Sequence, residues 1–249
     1  MPSLRLDQAL VERGLCPSRE NAKRAILAGQ VRLNGHTPHK ASDPVKDDDV
    51  VTLETPDRYV SRGGHKLEHG LRHFGLDVDG MVAIDLGAST GGFTDCLLQR
   101  GAAMVYAVDV GRGQLAWKLR RDARVKVMEK MNARFLTRGD FPPPFAGADV
   151  IVADCSFISL KKILPAAVAL LGVSGRILAL VKPQFEAGKA EASRGRGVIT
   201  DPAIHARVLN ELKIFVSEIP GLLWVGETES PLVGPAGNRE FLVLLEKQT

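Results

Sequence analysis

Four short apolar runs that each end in a charged residue constrain this chain more than any other feature. Residues 81–86 carry Asp85 near their end, 104–108 are followed by Asp109, 149–153 by Asp154, and 176–181 by Lys182. A weaker run, 125–128, lies between the second and the third. Helical patterns at 91–99 and 158–171 separate the runs, and a helix at 202–217 precedes late strands at 222–225 and 241–245. Strands that alternate with helices over crossover-length connections predict a mostly parallel sheet covered on both faces. Ligands of such sheets gather outside the carboxyl ends of the strands. Asp85, Asp109, Asp154 and Lys182 all fall at that edge. The fold class expected here is α/β and Rossmann-like.

Residues 1–58 have another character and read as a separate small α+β domain, with 59–249 as the larger one. Leu6 and Leu10 sit four apart in a helix over 6–13, with Asp7 in its first turn and Gly14 after its end. Ser18 caps a second helix whose apolar face is Ala22, Ala25 and Ile26 and which ends at Gly29. Its other face carries Arg19, Lys23 and Arg24. Val31-Arg32-Leu33 then meets Asn34-Gly35, a two-residue hairpin signal, and 50–53 makes a further strand. Cations outnumber acids before Lys40, and Asp47-Asp48-Asp49 reverses the sign. Arg5, Arg19, Lys23 and Arg24 are therefore candidates for contacts to the phosphates of a polyanion, with a solvated basic face as the alternative for any one of them. Residues 55–59 read as a linker.

Several classes are set aside by composition. The chain has 249 residues with 33 Lys and Arg against 29 Asp and Glu, a mildly basic globular profile. No stretch approaches the roughly 18 apolar residues that span a bilayer, and no alternating barrel strands occur. Asp7 stands where a secretory signal needs an apolar run, so a cytoplasmic protein is expected. Cys16, Cys96 and Cys155 lack C-x-x-C spacing, so neither a disulfide framework nor a metal site is expected.

The motifs narrow the chemistry. Asp85-Leu86-Gly87-Ala88-Ser89-Thr90-Gly91-Gly92-Phe93-Thr94 is a glycine-rich turn between strand and helix. A dinucleotide fingerprint needs a glycine at Ser89 for close approach to a pyrophosphate, and no Gly-Lys-Ser/Thr phosphate loop is present. The turn suits a ligand without phosphates, its tail lying along the backbone. Asp109 at the second strand end can accept hydrogen bonds from both hydroxyls of a ribose. Asn132 follows the third strand, where an adenine contact would sit, and reads equally as a turn asparagine. Asp154 and Lys182 end adjacent apolar strands, a costly arrangement unless paired or used in chemistry. Lys66 lies in the first turn of a helix, where it opposes the dipole and gives no helix stability. Glu240 precedes the last apolar run.

With those residues in view, the chain resembles the hemolysin A-like ribosomal RNA methyltransferases, whose main domain is similar to the FtsJ-type 2′-O-methyltransferases. The resemblance rests on blocks in order: Arg5-Leu6-Asp7 through Asn34-Gly35, which looks like a ribosomal-protein-S-four-like RNA-binding module, then Ser61-Arg62-Gly63-Gly64-His65-Lys66-Leu67 and residues 85–94. Val108-Asp109-Val110-Gly111, Asp154-Cys155-Ser156-Phe157-Ile158-Ser159-Leu160, Val181-Lys182-Pro183-Gln184-Phe185-Glu186 and Asn238-Arg239-Glu240 complete the series. The resemblance implies an S-adenosylmethionine-dependent sheet with a late antiparallel strand, and S-adenosylmethionine as cofactor. Its cofactor contacts carry over to Asp85, Gly87, Ser89, Thr90, Gly91, Gly92, Phe93, Asp109, Asn132 and Asp154. A Lys-Asp-Lys-Glu tetrad carries over to Lys66, Asp154, Lys182 and Glu240. The FtsJ type usually has Ala-Pro where this chain has Ser89-Thr90. Arg58-Tyr59-Val60 takes the place of the family's short interdomain linker.

The function expected on that resemblance is methyl transfer to a ribose 2′-hydroxyl, with cytidine in ribosomal RNA or ribosomal subunits as the substrate to which the family points. Lys182 is expected as the base, with Lys66 orienting the hydroxyl, Asp154 beside the donor and Glu240 holding a lysine. Arg194-Gly195-Arg196-Gly197 reads as a loop that either closes over substrate or is only a loop. The competing readings are a non-catalytic RNA-binding or ribosome-assembly protein, a pore-forming protein and a nicotinamide-dependent oxidoreductase.

Overall fold

The computed structural model describes residues 3–54, 57–234 and 236–248, without the side chains of residues 189, 190 and 194. Thr55 and Pro56 of the expected linker, and Pro235, lie outside the described residues. The chain packs as two compact units, Met1–Arg58 and Tyr59–Thr249.

The first unit comprises β1 (Leu4–Arg5), α1 (Leu6–Glu12), α2 (Arg19–Leu27), β2 (Val31–Leu33), β3 (Pro44–Val45) and β4 (Val51–Leu53). Its core gathers Leu6, Leu10, Ala22, Ile26, Val31 and Val45, the apolar faces read from the helical spacing. Ser18 Oγ accepts the Asn21 amide at 3.3 Å and caps α2. The hairpin expectation needs correcting. Asn34 and Gly35 do turn with φ of 50° and 81°, and Leu33 and His36 exchange two backbone bonds. No strand continues beyond His36, because the chain runs into Pro38, which has no N–H to give a ladder. β2 instead pairs antiparallel with β4, and β1 with β3.

The second unit runs α3 (Gly63–His73), β5 (Val82–Leu86), α4 (Gly92–Gln99), β6 (Met104–Asp109), α5 (Trp117–Arg120), β7 (Val125–Glu129) and β8 (Ala148–Ala153). It continues with α6 (Leu164–Leu170), β9 (Leu171–Val181), α7 (Pro183–Glu186), α8 (Lys189–Arg194), α9 (Pro202–Ser217), β10 (Leu222–Glu229) and β11 (Phe241–Lys247). The strands form one sheet in the order β10-β11-β9-β8-β5-β6-β7. β7, β6, β5, β8 and β9 are parallel, and β11 is antiparallel to both β9 and β10. The expected mostly parallel sheet with a late antiparallel strand is therefore present, and β11 is the one reversed strand of the seven. Each face has its own apolar layer: Ile84, Ile151, Ile177 and Leu212 on one, Leu67, Leu97, Val105 and Leu178 on the other.

Local chemistry explains where elements start and where expectation departs from structure. α9 begins where Pro202 supplies a preset φ and Asp201 accepts the Ala203 amide at 2.8 Å. The single helix expected over 158–171 is instead a 3-10 turn at Leu160–Lys162 followed by α6. Pro165 accounts for the break, since proline is tolerated only in a helix's first turn. Residue 171 already belongs to β9. The expected loop at 194–197 begins in α8, which ends with Gly195 as its cap. Tyr59, expected in the linker, is 2% exposed and packs in the second unit's core. Its hydroxyl donates to Glu68 Oε2 at 3.0 Å. Among the described residues no helix is long and apolar enough to cross a membrane.

Candidate active site

Two adjoining cavities open at the carboxyl edge of the sheet. One, about 520 Å³, is lined by Val108, Asp109, Met131, Asn132, Phe157 and Ile158 among others. The other, about 300 Å³, is lined by Arg62, Lys66, Asp154, Lys182 and Glu240 with the glycine turn. They share Gly87, Ser89, Asp154 and Ser156 as a common wall.

The turn between β5 and α4 builds the floor. The amides of Gly87 and Ala88 both donate to Val108 O, at 2.9 and 3.0 Å, and the Asp154 amide donates to Leu86 O at 3.0 Å. The three strand ends are thereby locked together. Gly87 has φ +83°, and a Cβ there would stand 3.0 Å from Asp154 O, so both conformation and space demand glycine. Ser89 is held at φ +49°. Its amide donates to Asp109 Oδ2 at 2.8 Å, and the Gly111 amide to Oδ1 at 2.7 Å. Asp109 thus braces the turn with one lone pair on each oxygen and keeps others for a ligand. Asn132 Oδ1 accepts the Arg134 amide at 3.0 Å, the turn role weighed from sequence, while the residue also lines the larger cavity.

Asp85 and Gly91 do not line either cavity. Asp85 is fully buried beneath the turn, where Thr94 Oγ1 donates to its Oδ2 at 2.6 Å and Oδ1 has no partner. Burial pushes its carboxyl up to about 7. The Thr94 bond opposes that rise, and the charges of Asp154 and Asp109 add to it. Gly91, at φ +99°, packs beneath Leu115 and Leu119. Both residues shape the turn from behind. Gly87, Ser89, Thr90, Gly92 and Phe93 do reach the cavities.

The tetrad residues converge as two ion pairs on the smaller cavity. α3 lies close over the sheet because a Cβ on Gly70 would meet Leu178 at 3.0 Å and Leu242 at 3.2 Å. This close approach lets Lys66 reach Glu240 at the start of β11. Lys66 Nζ donates to Glu240 Oε2 at 2.5 Å, with the two side chains 9% and 1% exposed. Lys182 Nζ sits 2.6 Å from Asp154 Oδ1, at an angle that makes the contact electrostatic rather than a well-formed hydrogen bond. Its hydrogen bond goes to Ser156 Oγ at 2.8 Å. Glu186 ties the loop after β8 to the segment after β9, accepting from Ser159 Oγ at 2.6 Å and the Leu160 amide at 2.7 Å. Its carboxyl is raised by burial against those two bonds. Cys155, half-buried between Asp154 and Ser156, has its thiol pushed up to about 12 by burial and then by the Asp154 charge, and stays protonated.

Sequence reasoning missed Ser156, Glu186 and Asn238 as individuals, though each lay inside a quoted block. Asn238 is 2% exposed and stitches the 197–199 segment to the β11 entry. Its Oδ1 accepts the Ile199 amide at 2.8 Å, and its Nδ2 donates to Gly197 O at 2.9 Å. Only the contact partners, distant in sequence, reveal these roles.

In the first unit, two of the candidate RNA-binding cations are partly engaged. Arg5 Nε and Arg19 Nη2 each lie 3.0 Å from opposite oxygens of fully buried Asp7. Burial would raise the Asp7 carboxyl, but these two guanidinium groups hold it low. Both arginines keep about half their side chains exposed, at 45% and 51%. Lys23 is exposed, and Arg24 faces Glu20 at 3.7 Å on the surface.

Among the described residues the larger cavity carries no lysine or arginine on its lining. Its lining mixes apolar Val108, Met131, Phe157 and Ile158 with polar Asp109, Gln114, Asn132 and Asp154, and its size is that of a small-molecule site. Such a cup lies beside the paired charges of Lys66, Asp154, Lys182 and Glu240, on a seven-stranded sheet with one reversed strand. Residues 59–247 match the FtsJ-like methyltransferase family and residues 4–51 the S4 domain, and the family match makes the larger unit a methyltransferase. Comparison with known proteins specifies which. The chain belongs to the hemolysin A-like branch of the FtsJ-like methyltransferases. It is 49% identical over 97% of its length to YqxC of Bacillus subtilis, named as an rRNA methyltransferase, covering 85% of that protein. It is 47% identical over 98% of its length to the 16S/23S rRNA (cytidine-2′-O)-methyltransferase TlyA of Mycobacterium tuberculosis, covering 90% of it. The solved structure of a hemolysin-named protein from Streptococcus thermophilus superposes with a TM-score of 0.74 at 45% identity, over the whole of this chain and 90% of that one.

Proposed function

We propose that this protein transfers the methyl group of S-adenosylmethionine to the 2′-hydroxyl of a cytidine in ribosomal RNA. The observation that carries the reading is the pair of lysine–carboxylate contacts, one buried and one partly exposed, on a cavity that shares a wall with a cup whose lining holds no lysine or arginine among the described residues. When bound, S-adenosylmethionine supplies an electrophilic methyl on a sulfonium. Asp109 and Asn132 would hold its nucleoside, and the backbone of Gly87 and Gly92 with Ser89, Thr90 and Phe93 would hold its tail.

A ribose hydroxyl is a poor nucleophile until a positioned base takes its proton. Lys182 is that base, receiving the 2′-proton on Nζ, and the nearby Asp154 carboxylate stabilises the ammonium that forms. Lys66 donates toward the sugar oxygen, and Glu240 holds Lys66 in the orientation to do so. Alignment carries most of the rate, because the leaving group needs no assistance. Lys23 and Arg24, with the exposed parts of Arg5 and Arg19, contact RNA phosphates and so position the substrate without reading bases. Ribosomal RNA or a ribosomal subunit in the cytoplasm is the partner this reading requires, and neither metal nor membrane enters it.

The test is transfer of labelled methyl from S-adenosylmethionine to ribosomal RNA and to isolated subunits, with the labelled position then mapped. A label at a cytidine 2′-oxygen, seen as resistance of the adjacent linkage to alkali, is the expected result. A label on a base nitrogen or carbon, or no transfer to any RNA substrate, sinks the reading.

A further inference from the structure

Ser156 stands on the wall common to both cavities, exposed to them, and accepts the one well-formed hydrogen bond of Lys182, at 2.8 Å. We propose that Ser156 is a positioning residue of the reaction, fixing the direction in which Lys182 presents its basic lone pair. This rests on the reading of Lys182 as the base.

The argument is one of amine geometry. A neutral lysine amine has two N–H bonds and one lone pair, and rotation about its last carbon–carbon and carbon–nitrogen bonds leaves the lone pair free to face any direction. Lys182 meets two acceptors, Asp154 Oδ1 at 2.6 Å and Ser156 Oγ at 2.8 Å. When Ser156 takes one N–H in a well-formed bond and the Asp154 charge draws the other, the lone pair is left with the remaining direction, toward the cavity that Lys66 and Glu240 also line. With Asp154 alone, the poor angle of that contact would let the amine rotate and spend its lone pair on water. After the 2′-hydroxyl proton transfers to Nζ, the same two acceptors hold the ammonium, so neither has to move during the step. Lys66 has no counterpart to Ser156 among the described residues. Its hydrogen bond goes to Glu240, which suits a group that only donates.

The Ser156 hydroxyl lies in the turn after β8. Glu186 anchors that turn downstream through Ser159 and Leu160, and the Asp154 amide anchors it upstream through Leu86. The serine is exposed and is not needed to hold the turn, so Ser156→Ala should fold and melt like the parent.

The experiment is steady-state and single-turnover methyl transfer by the full chain, with donor affinity measured separately by titration. Ser156→Ala is expected to lower kcat by about ten- to a hundredfold, the effect of losing one hydrogen bond to a charged group. The KM for RNA and the donor Kd should stay within about twofold of the parent. Ser156→Thr, which keeps the oxygen, should recover most of the rate. In a Lys182→Ala background, Ser156→Ala should slow the residual rate no further. A parental kcat for Ser156→Ala overturns the inference, as does a loss that Ser156→Thr does not restore or that persists undiminished without Lys182. Failure of the underlying reading looks different: Lys182→Ala itself would transfer methyl at the parental rate.

Discussion

The two halves of the strand edge satisfy their acids by opposite means. On the side of β5, β6 and β7, Asp109 takes the Ser89 and Gly111 amides and Asp85 takes the Thr94 hydroxyl, and no lysine or arginine lines the cup. On the side of β8, β9 and β11, Asp154 and Glu240 are met by lysine Nζ atoms at 2.6 and 2.5 Å. Amide-held acids fix a shape and leave lone pairs for hydroxyls, which is what recognition of a neutral nucleoside demands. Lysine-held acids make a site in which a proton can change hands with its charge balanced nearby. The difference separates binding from chemistry along one sheet edge, and four variants test whether the separation is real.

The largest effect is expected from Lys182→Ala. Removal of a general base costs about 10²–10⁴-fold in rate, while the nucleoside cup keeps every group that lines it, so donor affinity should change by less than about threefold. Single-turnover transfer and calorimetric titration of the same preparation give both numbers. If donor affinity collapses along with the rate, the two halves are one site and the comparison fails.

Glu240→Gln probes the charged half as structure. It leaves the Lys66 ammonium buried with no counter-charge, and breaking a buried pair in this way costs about 3–5 kcal/mol of stability. Urea unfolding should show the midpoint fall with the m-value unchanged. The double variant Lys66→Met/Glu240→Leu removes both charges and should regain most of that stability, since buried pairs give little net stabilisation over apolar replacements. Its methyl transfer should stay abolished. Recovered activity in the double variant would mean that the pair only supports the fold.

How much of this was legible in the sequence divides along the same line. Strand ends could be read because a charged residue closing an apolar run is a local signal, and Asp85, Asp109, Asp154 and Lys182 each gave one. α9 could be read because Asp201 and Pro202 mark its start within two residues. Residues 158–171 misled because the helical periodicity is real while Pro165 resets where a helix can begin. Asn34-Gly35 turned as its residue types require, but a turn does not supply a second strand, and β4 lies too far along the chain for local pattern to pair it with β2. A pairing of Asp154 with Lys182 was open from the sequence as two charges at adjacent strand ends, whereas Glu240 holding a lysine came only with the family resemblance. Residues 66 and 240, or 154 and 182, meet through sheet order and through α3 lying close at Gly70, which no spacing encodes. Ser156 escaped for a related reason: its partner is defined by β8 and β9 being neighbours, and a serine after an aspartate is otherwise unremarkable.

The smallest effect concerns Asp85, the acid of the binding half that forms no ion pair among the described residues. Its carboxyl lies at about 7 in the folded protein against an ordinary 3.8, because burial and then the neighbouring acids outweigh the Thr94 bond. A raised acid binds more protons folded than unfolded, so stability falls as pH climbs through that window. Between pH 6 and 8 this one group should remove about 1 kcal/mol, the free energy of roughly one unit of pH spent ionising a buried acid. Asp85→Asn keeps an oxygen for Thr94 and cannot ionise. The stability of this variant, tracked by urea midpoints from pH 6 to 8, should therefore decline less steeply than the parent by about that amount. The sign is what matters to the comparison. Were Asp85 held by a cation, its carboxyl would lie low and the same substitution would leave the slope between pH 6 and 8 untouched. A parental slope in Asp85→Asn would place Asp85 with the paired acids and erase the contrast between the two halves at its most buried point.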